Sequence, residues 1–138
     1  MQRLLFVTQG VLQAFVALGA VVFGILFVIA PDGRCIGAST ALLAKTPFAD
    51  FFIPGIILLS VNGFGQLLAA VSTFRRHAQA GVIGGIFGLG LMIWIFAQVN
   101  MIGGGDGLQY AYFCLGLCET VCAFFIDRHL RDAAANRG

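Results

Sequence analysis

Residues 108–126 read LQYAYFCLGLCETVCAFFI, an apolar run with a single acidic or basic side chain, Glu119, near its middle. A helix needs roughly 20 apolar residues, each rising about 1.5 Å, to cross the hydrocarbon core of a bilayer. A carboxyl group held at that depth is costly. It is retained where it meets polar partners, water or a ligand, or where it stays protonated. This run therefore predicts a membrane-spanning helix and, within it, a candidate functional residue.

The same pattern recurs upstream. Leu4–Ala30, Phe51–Thr73 and Gly81–Ile102 contain no acidic or basic side chain, which leaves Glu119 alone among the four segments. The chain has 138 residues, 59% of them hydrophobic and only 10% charged. Soluble domains carry roughly 25% charged residues, so too few are present to cover a water-exposed surface. The expected fold is an all-α integral membrane protein: an antiparallel four-transmembrane-helix bundle, up-down-up-down, in one domain over residues 1–138. Helices are expected at about 4–30, 51–73, 81–102 and 108–126. The first segment is too long for a secretory signal core of roughly 7–15 residues, and Pro31 follows its best small-residue cleavage position. It reads as a helix.

Arg3, Arg75, Arg76, Arg128, Arg131 and Arg137 would share one side of such a bundle, against Arg34 and Lys45 on the other. The positive-inside rule then puts both termini in the cytoplasm. It also accounts for the net charge of +2 without a nucleic-acid partner. Between the first two segments, Pro31-Asp32-Gly33 reads as a turn and 39–45 as a short interfacial helix with Leu42 and Leu43 down toward the membrane and Lys45 up. The later connections, FRRHAQ and GGGDG, are tight.

Two polar residues match Glu119 in depth. Gln13 is ten residues from Arg3, Gln66 nine from Arg75, and Glu119 nine from Arg128. At 1.5 Å per residue each lies about 14–15 Å in. Asn62 is one turn from Gln66. The third segment presents Gly84 and Gly85 at this level, which leaves space. Gln13, Asn62, Gln66 and Glu119 are therefore the candidate site for a proton or ligand, with Tyr112, Cys122, Gly84 and Gly85 as possible lining. The competing structural reading is a polar clasp in which a protonated Glu119 donates to Gln66 or Gln13. Tyr110 and Tyr112 suit an aromatic belt at the outer interface, and Gln98 and Asn100 suit interfacial anchoring beside Trp94.

Gly81, Gly84, Gly85 and Gly88 form two overlapping GxxxG pairs, suited to bundle packing or to a homo-oligomer seam. Cys114, Cys118 and Cys122 form a stripe best read as small residues that let neighbouring helices approach, and Cys35 stands alone in its loop. His77 and His129 lack metal-ligand company, so neither a metal nor a cofactor is expected.

The run TPFADFFIPGIILLSVNGFGQLLAA (46–70), with GLGLMIWIFAQ (88–98), resembles a pattern of small bacterial four-helix membrane proteins. In size and layout the chain is similar to the DoxX-type group. The resemblance implies the architecture and a bacterial inner-membrane setting, and it supplies no catalytic residue. Three functions are thereby set against one another. The first is a proton-linked transporter or small-ligand binder centred on Glu119. The second is an accessory subunit packed against a larger membrane complex. The third is an intramembrane enzyme, for which a Cys122–Glu119 pair is the most that the residues offer.

Overall fold

A computed structural model describes all 138 residues. The chain is all-helical, with no strand and with four helices long and apolar enough to cross a membrane. They are α1 (Gln2–Ile29), α2 (Phe52–Phe74), α3 (Ala80–Ile102) and α4 (Gly107–Ala135).

Burial runs opposite to that of a soluble bundle. On α1 the buried stripe is Phe6, Gln9, Gly10, Gln13, Val16, Ala17, Ala20 and Gly24, a helical spacing made mostly of small or polar residues. Leu4, Val7, Val11, Phe15, Leu18 and Val22 face outward. Such an arrangement is stable only where the surroundings are themselves apolar, because lipid tails do not drive leucine inward. Small residues take the helix contacts instead, since they let backbones approach and gain dispersion energy.

The α3–α4 pair shows this most clearly. A Cβ added to Gly81 would lie 2.5 Å from the backbone of Asp127. One added to Gly88 would lie 3.1 Å from the Thr120 backbone nitrogen. Early α3 thus meets late α4, and the two are joined by a four-residue connection, 103–106. Gly103 ends α3 in the left-handed region, at φ 84°. Asp106 then opens α4 with a capping box: the Gln109 backbone N–H donates to Asp106 Oδ1 at 2.9 Å, and the Asp106 backbone N–H donates to Gln109 Oε1 at 3.2 Å.

Two features differ from the sequence expectation. α4 continues past Ile126 to Ala135. The charged run that looked like a helix end remains helical, because alanines favour the helix and Arg131 Nε donates to Asp127 Oδ2 at 2.7 Å across one turn. In α2, residues Leu58–Gly65 form a π-helical stretch between two α-helical pieces. There the Ser60 hydroxyl donates back to the Ile56 carbonyl at 2.7 Å, competing with the regular ladder, and Gly63 and Gly65 tolerate the widened turn. This stretch carries Asn62.

The 31–51 connection folds back over the helix ends. The Phe51 N–H donates to the Pro31 carbonyl at 2.9 Å. Phe27 and Phe51 stack at 4.9 Å, and Leu43 is buried while Leu42 stays partly exposed.

Candidate functional site

Five of the most deeply buried side chains are polar: Gln9, Gln13, Gln66, Thr73 and Glu119 are each 0% exposed. Their positions follow from the helix stripes. Gln9 and Gln13 are one turn apart on the inward face of α1. Gln66 and Thr73 lie two turns apart on α2, and Glu119 shares the buried stripe of α4 with Gly116, Ala123 and Ile126.

Gln66 Nε2 donates to Glu119 Oε2 at 2.7 Å and also lies 3.3 Å from the Phe87 carbonyl of α3. Gln9 Nε2 donates to the Glu119 backbone carbonyl at 3.1 Å. Thr73 Oγ1 donates to Gln13 Oε1 at 2.8 Å. Three expectations are corrected here. Gln13 pairs with Thr73 rather than with Glu119, because it sits at the level of Gly84, one turn from the level of Gly88 and Glu119. The space at Gly84 is taken by two amides: a Cβ there would lie 3.0 Å from both Gln9 Nε2 and Gln13 Nε2. Gly85 faces only Ala123, at 3.9 Å, and does not border the polar residues.

The polar groups therefore form a file along the bundle, from Thr73 and Gln13 through Gln66 and Glu119 to Asn62, rather than one level. Gln9 and Thr73 were missed because counting from basic residues selected one depth. Their helical spacing from Gln13 and Gln66 was the available signal.

The file is only partly satisfied. Gln9 Oε1, Gln13 Nε2, Gln66 Oε1, Glu119 Oε1 and both amide atoms of Asn62 are buried without a hydrogen-bond partner in the protein. Each such group costs about 1–3 kcal/mol. A purely structural clasp gains stability by pairing its groups, so this arrangement is a poor one for that purpose.

Asn62 is 1% exposed and borders a cavity of about 580 Å³, from which its amide atoms are shielded. Phe23 and Phe27 of α1, Leu91 and Trp94 of α3, and Tyr112 of α4 form much of its wall, and the 31–51 connection contributes Leu42 and Phe51. Neither Glu119, Gln66, Gln13, Cys122, Gly84 nor Gly85 lines it. Asn62 alone belongs to both the polar file and the cavity. Tyr112 turns inward, stacking on Phe15 at 6.3 Å, with its hydroxyl 2.7 Å from where a Cβ on Gly19 would lie. The belt reading thus suits the exposed Tyr110 and fails for Tyr112. Gln98 also lines the cavity, whereas Asn100 is exposed and donates to the Phe96 carbonyl at 2.8 Å.

Gly81, Gly84 and Gly88 are buried against other helices of the same chain. Cys114 and Cys118 are exposed and Cys122 is half-buried, so the first two make no close helix contact within the bundle, contrary to expectation.

The fold and the site define an all-helical chain with four potential membrane spans and a buried polar file that ends at an apolar cavity. Comparison with protein-family models, with curated proteins and with solved structures gave no match.

Proposed function

We infer that this is a polytopic membrane protein that binds a small ligand in the cavity beside Asn62 and couples its occupancy to protonation of Glu119. The observation that carries this reading is a cavity of about 580 Å³ bordered by Asn62, a fully buried residue whose two polar amide atoms have no partner in the protein. Small-molecule pockets are typically about 300–1,000 Å³, mostly apolar, with a few convergent polar groups. Coupling has a short path: Asn62 and Gln66 are one turn apart on α2, and Gln66 donates to Glu119.

In this account the four helices alternate across a bacterial inner membrane with both termini in the cytoplasm. The arginines support it. The Arg76 guanidinium lies 5.2 Å from the Phe6 ring centroid, and Phe6 packs edge-to-face on His129 at 6.5 Å. These contacts gather the start of α1, the α2–α3 connection and the end of α4, with their basic residues, at one end. Exposed Cys35 lies in the 31–51 connection at the other. In intact bacterial spheroplasts a membrane-impermeant maleimide should label Cys35; labelling only in inverted vesicles contradicts the orientation.

Ligand binding has a built-in reporter, because Trp94 is the only tryptophan and lines the cavity. In lipid nanodiscs, at least one member of a panel of ten-carbon probes with different end groups should shift Trp94 emission saturably. A panel with no saturable member contradicts the binding reading.

A further inference from the structure

The chemistry of the cavity wall narrows what it can hold, given that it is a binding site. Of its lining residues only Asp106 and Tyr112 carry ionisable groups, and no lysine, arginine or histidine is among them. An anionic ligand would find no countercharge. Asp106 is exposed at the mouth, and its Oδ1 already accepts the Gln109 backbone N–H at 2.9 Å as the cap of α4. That carboxylate is screened by solvent and is a weak anchor for a buried cation.

The interior is aromatic and aliphatic: Phe23, Phe27, Trp94 and Leu91 present apolar surface, which excludes a ligand polar along its whole length. Of the neutral polar residues in the lining, Gln98, Gln109, Tyr112 and Asn62, the most deeply buried is Asn62. Its Nδ2 offers donors and its Oδ1 an acceptor, all without partners in the protein. A ligand group that only accepts would leave Oδ1 unpaired, and one that only donates would leave Nδ2 unpaired. The complement is a neutral group that does both.

We propose that the cavity binds an uncharged lipophilic molecule ending in a hydroxyl or carboxamide group, with the apolar remainder among the aromatic walls and the polar end paired with Asn62, whose buried, unpartnered amide turns into the cavity to meet it. The ligand's polar end would then lie one helical turn from Gln66 and the Glu119 carboxyl. This proposal rests on the binding reading above and names its ligand class.

The test compares five probes of one chain length in nanodiscs by Trp94 emission: decan-1-ol, decanamide, decane, decanoate at alkaline pH, and decyltrimethylammonium. Decan-1-ol and decanamide should bind saturably, about tenfold tighter than decane, as expected when one buried hydrogen-bonding group is matched rather than left unpaired. The two charged probes should bind more weakly than either. In Asn62→Leu the advantage over decane should disappear while thermal stability holds or rises, because an unpaired buried amide has been removed. The wild-type ranking alone decides the matter should this variant not fold. Equal binding of decane and decanamide overturns the ligand class and leaves the binding reading intact, and so does preference for decanoate or the ammonium probe. Saturation by none of the five overturns both.

Discussion

A Gly81→Leu chain is expected to lose about 3 kcal/mol or more of stability, as overpacking against backbone is among the costliest core changes. A Cβ at this position would stand 2.5 Å from the N, Cα and Cβ atoms of Asp127. No rotamer change relieves that clash, because the opposing atoms are largely main chain. The helices must separate, and in lipid no hydrophobic gain offsets the dispersion energy that separation gives up. The control lies on the same helix. A Cβ at Gly90 meets nothing within 4 Å, so Gly90→Leu should be neutral or gain up to about 1 kcal/mol from helix propensity. Unfolding in mixed micelles monitored by circular dichroism separates the two. Equal losses would mean that α3 and α4 do not pair through Gly81 and Asp127.

The second large effect is expected at Glu119, where three substitutions separate structure from protonation. Glu119→Gln keeps an oxygen to accept from Gln66 Nε2, so the bundle should fold and lose less stability than with Glu119→Leu, while the protonatable group is lost. Glu119→Leu removes the acceptor and should cost about 1–2 kcal/mol. A double-mutant cycle with Gln66→Leu should return about 0.6–1.7 kcal/mol of coupling, the range of interhelical hydrogen bonds in membranes. Glu119→Lys sets a buried cation against the Gln66 amide donor and should cost about 3–5 kcal/mol. Should Glu119→Leu lose no stability and show no coupling to Gln66→Leu, the 2.7 Å contact is energetically irrelevant.

The two effects trace to parts of the molecule that were unequally legible in the sequence. The four apolar runs announced four helices long and apolar enough to span a membrane, because length without charge is a signal that needs no tertiary context. Gln13, Gln66 and Glu119 stood out for the same reason, as polar groups where hydrocarbon disfavours them. Their pairing was not readable. Helices begin at different heights, so a count from each terminal arginine placed Gln13 one turn away from its true level, and its partner Thr73 went unnoticed. The end of α4 was hidden because charged residues look like loop when they continue a helix beyond the bilayer.

The π-helical stretch around Asn62 has no clear sequence signature, since Ser60, Gly63 and Gly65 are also ordinary helix-packing residues in membranes. The cavity is least legible of all. It arises where small residues of α1, the widened turn of α2 and the covering 31–51 connection fail to fill space between bulky neighbours. With α3, the 103–106 connection and α4, that is a sum over six segments. Asn62 could be named as polar, but only the folded chain reveals that it borders the cavity and that its amide has no partner in the protein.

The central claim is that cavity occupancy and protonation of Glu119 are linked. Calorimetry tests it directly: decanamide is titrated into nanodisc-embedded protein in two buffers of equal pH and different ionisation enthalpy. A linked proton makes the observed binding enthalpy differ between the buffers for the wild-type chain, and Glu119→Gln should bind the same probe with no buffer dependence. Binding enthalpies equal in both buffers for the wild-type chain, or a buffer dependence that persists in Glu119→Gln, would contradict the account.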